Sequence, residues 1–157
     1  PYKSPEELHD LGIEAFDDLH DMLSICDFVS LHVVLSDSTK HLIGAEELAA
    51  MKSTAILINT ARGALIDENA LLNALQEGSI AGAGLDVFSQ EPLNLNNHPL
   101  KALYSMDNVI LTPHLAFYTK EAMDRLEAET LERCQEIIEG RSVTIRSTDS
   151  RLQGSPA

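Results

Sequence analysis

Three residues of this sequence have side chains suited to binding an organic acid and moving a proton, and each follows a short apolar run. They are Arg62, Glu91 and His114. A guanidinium stays cationic and presents two parallel N–H donors, which match the two oxygens of a carboxylate. An imidazole has an ordinary pKa near neutrality, and a neighbouring carboxylate stabilises its charged form. One hypothesis is therefore an acid–base site for a small anionic molecule.

Each of these residues also has a purely structural interpretation. Arg62 precedes Gly63 in a turn, where an exposed loop cation is common, and Glu91 lies in a polar loop. His114 and Asp86 follow predicted strands, where a histidine can cap backbone groups and an aspartate can accept backbone N–H donors. The residue types by themselves leave both interpretations open.

Strand and helix patterns alternate along the chain and would position these residues. Short apolar, β-branched runs bounded by turn signals predict strands at residues 28–34, 55–59, 81–87 and 108–111. Capping signals predict helices after Ser4 and Asp17, over 45–51 and 67–77, and from Thr119 to Glu139. Because most strands are continuous apolar runs, we predict an α/β fold with a parallel sheet covered on both faces. Ligands of such sheets bind beyond the carboxyl ends of the strands, where the three residues above fall.

Composition and charge exclude several classes of protein. The 157 residues include 44% apolar and 23% charged side chains, which excludes a wholly disordered chain. Eleven basic and 25 acidic residues give a net charge of −14, which disfavours binding to a nucleic-acid backbone. The two cysteines offer no disulfide framework, the histidines show no metal-ligand spacing, and no apolar window is long enough to span a membrane. We expect a cytoplasmic protein without a metal site, a membrane partner or a direct nucleic-acid partner.

Three ordered motifs resemble those of a known family. They are ILINTARGALIDE at 56–68, AGAGLDVFSQEP at 81–92 and LTPH at 111–114. In order and spacing they resemble the D-isomer-specific 2-hydroxyacid dehydrogenases, over residues 1–140. The resemblance implies a Rossmann-like fold and an oxidoreductase that transfers a hydride between NAD(P)H and a 2-keto acid or D-2-hydroxy acid. NAD is the expected cofactor, and NADP stays an alternative.

The resemblance also implies roles for individual residues. Arg62 would bind the substrate carboxylate and polarise the adjacent carbonyl, His114 would be the acid/base, and Glu91 would stabilise the imidazolium. The implied cofactor-binding residues are Val33, Val34, Thr39, Thr60, Ala61, Arg62, Asp86, His114 and Phe117. Val34 departs from the family, whose members usually have a proline there, and it leaves one more backbone N–H in that turn.

The dinucleotide fingerprint is missing from the sequence. That fingerprint needs closely spaced glycines at a helix N-terminus, whereas the close pair Gly82 and Gly84 lies in a strand pattern. We therefore expect residues 1–140 to be the second half of a dinucleotide-binding domain, with the glycine-rich loop and substrate lobe upstream. The complete protein would be a homodimer. Residues 141–157 lose periodicity, which predicts a disordered tail or a segment returning to the substrate lobe.

Two other functions stay open at the level of sequence. The family also includes transcriptional corepressors that keep the same Arg, Glu and His, and the loop at 93–96 and Phe117 resemble theirs. Peptide-binding sequence upstream would favour that function. Alternatively, the chain is a noncatalytic remnant of a half-domain, since intact catalytic residues do not prove their use.

Overall fold

The structure, a computed structural model, describes residues 3–92 and 99–143. The helices of this part of the chain are α1 (Pro5–Asp10), α2 (Leu19–Ile25), α3 (Ala45–Ala50), α4 (Glu68–Glu77) and α5 (Lys120–Ile138). Its strands are β1 (Phe28–Leu31), β2 (Ile56–Asn59), β3 (Gly82–Leu85) and β4 (Val109–Leu111). Short 3-10 helices span Gly63–Leu65 and Pro99–Ser105.

The four strands form one parallel sheet in the order β1-β2-β3-β4. In register, Val29 lies beside Leu57, Leu57 beside Ala83, and Ala83 beside Val109. All three pairs of neighbouring strands are parallel, so their carboxyl ends lie at the same edge of the sheet. The predicted α/β fold with a parallel sheet is therefore confirmed.

The core lies between one face of the sheet and helices α2 to α4. Its buried side chains come from alternate strand positions and from the apolar helix stripes, among them Leu23, Val29, Leu31, Leu48, Leu57, Leu71, Leu75 and Leu85. Strand residues that point the other way are more exposed, as Phe28 (67%) and Ile110 (72%) illustrate. Within the described sheet, β1 pairs with β2 alone, so Phe28 lies at an open edge of that sheet.

Local capping signals predicted most helix ends. Ser4 caps α1 in a capping box with Glu7, and Asp67 caps α4, which ends at Gly78 in the left-handed conformation (φ 70°). The cap of α2 is Asp18, however, and the prediction of Asp17 was wrong by one residue. Asp18 accepts hydrogen bonds from the N–H groups of residues 20 and 21, and that geometry decides between two adjacent aspartates.

The first strand is shorter than its apolar run. It ends at Leu31 because Leu31 pairs with Asn59, the last residue of β2, so the following residues have no ladder partner. The 3-10 helix Pro99–Ser105 was not predicted, since a segment of seven residues shows little periodicity. It buries Leu100 and Leu103 in the core, three residues apart on one side.

Internal contacts divide the chain into two units, Pro1–Ala116 and Phe117–Ala157. The first unit holds the sheet, helices α1 to α4 and every predicted site residue except Phe117. The second unit holds α5, which begins after Thr119 as predicted. Buried Glu136 in α5 forms an ion pair with Arg133, 3.1 Å away (Oε2 to Nε).

Candidate active site

Arg62 lies in a turn that begins at the last residue of β2. Asn59 ends that strand with only 1% of its surface exposed. Its Oδ1 accepts a hydrogen bond from the Ala61 N–H at 3.0 Å, and its Nδ2 donates to the Arg62 carbonyl oxygen at 2.9 Å. One buried amide therefore closes the turn that presents Arg62.

The Arg62 side chain itself is exposed. Its Nη1 donates a hydrogen bond to the carbonyl oxygen of Ala61 at 2.6 Å. Arg62 forms no ion pair with any carboxylate of residues 3–92 or 99–143. Its charge thus stays available to an anion that approaches this edge of the sheet.

His114 follows β4 and is bound to Glu91. The Nδ1 atom of His114 lies 2.7 Å from Oε2 of Glu91, and Oε1 of Glu91 accepts the Phe88 N–H at 2.8 Å. Because the carboxylate binds Nδ1, Nε2 is the ring nitrogen placed for proton exchange. The structure thus brings together the two residues that the sequence suggested as an acid–base pair.

Asp86 holds the loop that presents His114. The Asp86 carbonyl oxygen accepts the His114 N–H at 2.9 Å. Its buried carboxylate accepts three more bonds, from the Thr112 hydroxyl and from the N–H groups of Leu115 and Ala116, each of these two at 2.8 Å. His114 has a φ of 56°, in the left-handed region that residues other than glycine rarely adopt. The four bonds to Asp86 stabilise that conformation.

The loops of Arg62 and Glu91 are packed directly against each other. A Cβ at Gly63 would lie 2.0 Å from the backbone carbon of Phe88, so only glycine fits there without a shift. Oε1 of Glu68, the first residue of α4, also accepts the Ser89 N–H at 2.6 Å. A glycine contact and one charge-assisted hydrogen bond therefore join the two loops.

Hydrogen bonding keeps both site carboxylates ionised. Burial works to raise the pKa of Glu91, but hydrogen bonds from His114 and a backbone N–H hold that pKa below its ordinary value of 4.5. Burial also works to raise the pKa of Asp86. Hydrogen bonds from Thr112 and from two backbone N–H groups lower it further than burial raises it, so this pKa lies below its ordinary value of 3.8. Both groups are therefore anionic at neutral pH, as partners of an imidazolium should be.

A cavity of about 670 Å³ opens beside the His114–Glu91 pair. It is lined by Phe88, Glu91, Pro92, Tyr104, Leu111, Thr112, Pro113 and His114, and Arg62 is not among these residues. Most of the lining is apolar, which strengthens a hydrogen bond between charged groups. The structure thus unites His114 with Glu91, while the Arg62 guanidinium lies on its own turn.

The residues expected near the cofactor have different environments. Val33 and Val34 follow β1 and are 41% and 73% exposed. The Thr39 hydroxyl holds this segment, because it donates to the Val34 carbonyl oxygen at 2.7 Å and accepts the Ser36 N–H at 2.8 Å. Thr60 is exposed in the turn after β2. Exposed apolar side chains beyond a strand's carboxyl end are suited to contact a flat ring such as nicotinamide.

Three further residues of that set already have partners in the protein. Ala61 is half-buried and donates its N–H to Asn59. Both carboxylate oxygens of Asp86 accept donors from the His114 loop, which agrees with its structural interpretation. Phe117 belongs to the second unit, where it is 55% exposed and lies edge-to-face with Tyr118 at a centroid distance of 6.1 Å.

The described residues do not fit the diphosphate of a dinucleotide. A helix N-terminus binds phosphate through free N–H groups. At the N-termini of α1 to α5, however, side-chain oxygens of this protein already accept backbone N–H groups. In α2, α3 and α4 the occupying groups are the carboxylates of Asp18, Glu47 and Asp67, which repel phosphate. Within the described residues, the N-termini of α1 to α5 are therefore not open to a diphosphate.

Sequence reasoning overlooked three residues of the site. Asn59 and Thr112 hold the Arg62 and His114 turns, and Tyr104 lines the cavity. A lone asparagine at the end of an apolar strand was a usable signal, because a buried amide needs hydrogen-bond partners. Thr112 and Tyr104 gave no local signal, since their partners are distant in the sequence.

The fold and site define a class: a Rossmann-like α/β half-domain that presents a Glu–His pair at the carboxyl edge of its sheet. The model of the D-isomer specific 2-hydroxyacid dehydrogenase NAD binding domain matches residues 1–116. The chain belongs to this family. The resemblance, the fold class and the assignment to an NAD-binding domain are therefore confirmed.

Individual relatives agree with this assignment. The glyoxylate reductase of Aeropyrum pernix is 48% identical over 132 residues, which cover 84% of this chain and 38% of that protein. The structure of a D-lactate dehydrogenase from Sporolactobacillus sp. is 38% identical with a TM-score of 0.79, and the match covers 90% of this chain and 45% of that one. A D-lactate dehydrogenase from Aquifex aeolicus, complexed with NAD and lactic acid, is 35% identical with a TM-score of 0.77, covering 89% and 45%. The chain thus spans less than half the length of these relatives.

Some expectations concern residues outside the described ranges. These are the loop at 93–96 and, in the predicted tail, residues 144–157. Within the described residues, no helix is both long and apolar enough to cross a membrane. In the same residues, no three His, Cys, Asp or Glu side chains are grouped so that they could hold a metal ion.

Proposed function

We propose that this chain is the nicotinamide-side half of the active site of an NAD-dependent oxidoreductase, which interconverts a 2-keto acid and a D-2-hydroxy acid. The observation that supports this most is the 2.7 Å contact between His114 Nδ1 and Glu91 Oε2 on a loop that Asp86 fixes. In this proposal residues 1–140 form the NAD-binding half-domain and residues 141–157 follow it as a tail or a return segment. NADP remains the alternative cofactor.

The proposed reaction divides its tasks among the chain's own residues. When bound, the nicotinamide supplies the hydride. Arg62 binds the substrate carboxylate and polarises the neighbouring carbonyl through its two-pronged guanidinium. His114 gives a proton from Nε2 to the carbonyl oxygen as that oxygen gains charge, and it takes the proton back in the reverse direction. Glu91 stabilises the imidazolium and fixes which nitrogen faces the substrate.

The remaining predicted residues hold the cofactor in this proposal. Val33, Val34 and Thr39 lie in the segment after β1, and Thr60 and Ala61 lie in the turn after β2. Asp86 contributes through the loop that presents His114. The chain would act with small 2-keto or 2-hydroxy acids as its partners, without nucleic acid or membrane, in a cytoplasmic homodimer.

A chimaera tests the function of these residues without requiring that the chain act by itself. In this chimaera the chain replaces the segment that it matches in the Aeropyrum pernix glyoxylate reductase, and the parent enzyme is the positive control. NADH oxidation is followed with glyoxylate, pyruvate and hydroxypyruvate. We expect turnover in the chimaera. A chimaera that folds and binds NADH but oxidises it with none of these acids would contradict the proposal.

A companion titration concerns the chain alone. We expect the isolated 157 residues to bind NADH weakly, because the described residues hold no diphosphate site. Saturable, tight binding measured by NADH fluorescence would show that a phosphate site exists and that this part of the proposal is wrong.

A further inference from the structure

Asn59 is a buried polar residue to which the proposed reaction gives no role. It is 1% exposed, and burying an amide without hydrogen bonds is costly. Both of its polar side-chain atoms are used within three residues of chain, since Oδ1 accepts from Ala61 and Nδ2 donates to Arg62. The amide is thus committed to one turn, the turn that carries the proposed carboxylate-binding residue.

The position of Asn59 is itself fixed by the sheet. It pairs with Leu31 of β1 and with Leu85 of β3, and its carbonyl oxygen accepts the Asp86 N–H at 3.0 Å. The turn is anchored on its other side by Gly63, which packs onto the backbone of the neighbouring loop. The sheet therefore fixes the position of Asn59, and the Asn59 amide fixes the backbone at residue 62.

The Arg62 side chain depends on that backbone. Among the described residues, its guanidinium makes one hydrogen bond, to the carbonyl oxygen of Ala61 in the same turn. With no ion pair to a carboxylate of the described residues, the direction of the side chain is set mainly by the turn. A change in the turn would therefore move the charged group without removing it.

We propose that Asn59 is a positioning residue for Arg62, which aims the guanidinium at the substrate carboxylate without touching the substrate. This inference rests on the proposed function. The amide acts through two hydrogen bonds to the backbone of the turn. Its contribution should appear in the binding of the 2-keto acid and should vanish when Arg62 is absent.

A double-mutant cycle in the chimaera tests this dependence. Asn59→Ala, Arg62→Ala and the double variant are assayed with NADH and glyoxylate, and kcat and KM are determined separately. We expect Asn59→Ala to lower kcat/KM about tenfold, mostly through a higher KM for glyoxylate, and to cause no further loss in the Arg62→Ala background. The melting temperature should fall equally in both backgrounds, because the structural cost does not depend on the guanidinium.

The possible outcomes separate the inference from the proposed function. If Arg62→Ala retains parental activity, the proposed function fails. A second outcome is that Arg62→Ala lowers kcat/KM strongly, while Asn59→Ala lowers kcat/KM by the same factor with and without Arg62. Asn59 would then have only a structural role, and the inference would be wrong. Asn59→Ser guards against misfolding, since its hydroxyl can accept the Ala61 N–H while the bond to the Arg62 carbonyl is lost. An unchanged KM in that variant also overturns the inference.

Discussion

The turns that present Arg62 and His114 are anchored in similar ways, but the two side chains have different environments. Each is held by a buried polar side chain at a strand end: Asn59 is the last residue of β2, and Asp86 directly follows β3. His114 is also bound through its ring to Glu91, whereas the Arg62 guanidinium donates to the carbonyl oxygen of Ala61 and forms no ion pair within the described part of the chain. The acid–base group is therefore held through its side chain, and the anion-binding group is held mainly through the backbone of its turn.

This difference matches the chemistry proposed for each residue. Proton transfer needs the donor within hydrogen-bond reach of one atom, so a fixed imidazole is an advantage before substrate arrives. A cation that binds a carboxylate can be ordered by that carboxylate when the substrate binds, at the cost of side-chain entropy. The comparison predicts that changes at His114 act on kcat and that changes at Arg62 act strongly on KM.

The largest effect is expected at the fixed group. His114→Gln keeps a side chain that can donate to Glu91 but cannot exchange a proton, so kcat of the chimaera should fall about a thousandfold. NADH affinity, measured by fluorescence, should stay within a factor of about two, because the loop remains bound to Asp86. A kcat near that of the parent would show that another group transfers the proton.

A smaller effect is expected at the anion-binding group. Arg62→Ala should lower kcat/KM for glyoxylate about a hundredfold, because the substrate carboxylate loses its charged partner. Arg62→Lys is the matched control: it keeps the charge but loses the two-pronged geometry, and it should recover about a tenth of the parental kcat/KM. Equal losses in the two variants would contradict this prediction, because the charge that lysine retains would then contribute nothing.

The contact between the loops is tested by stability. Gly63→Ala should lower the free energy of unfolding by about 3 kcal/mol, because the new Cβ meets the backbone of Phe88 and that backbone must move. Gly84→Ala is the matched control in β3, where a Cβ would have one contact, with Ile58 at 4.0 Å. Chemical denaturation should show little change there. Similar losses in both variants would mean that glycine in general, and not the loop contact, is required.

The smallest effect concerns the pH dependence of stability. The pKa of Glu91 is depressed in the folded protein, so the folded state binds fewer protons than the unfolded state as the pH falls towards that value. The contribution of Glu91 is therefore present above its ordinary pKa of 4.5 and is lost as the pH falls below it. Glu91→Gln should therefore reduce the decrease in melting temperature between neutral pH and this acidic range. A profile that keeps the parental slope would place the acid sensitivity in other carboxylates, Asp86 first.

Sequence reasoning succeeded where the signal was local. The caps at Ser4, Asp67 and Gly78 and the apolar runs of β2 and β4 are short patterns whose physics involves a few neighbouring residues. It was less accurate where distant partners decide. β1 ends at Leu31 because the neighbouring strand β2 ends there, and the residues after Leu31 carry no sequence signal for this end.

The site divides in the same way. By itself the sequence determined the family, the parallel α/β fold and the Arg, Glu and His that are candidates for chemistry, because motif order and strand patterns are properties of the linear chain. The tertiary structure decided how these residues are used. It pairs His114 with Glu91 across 23 residues, and it commits the Asp86 carboxylate to donors up to 30 residues away. It also leaves the Arg62 guanidinium on its own turn. Such choices depend on which strand ends are neighbours in the sheet, and only the folded chain establishes that.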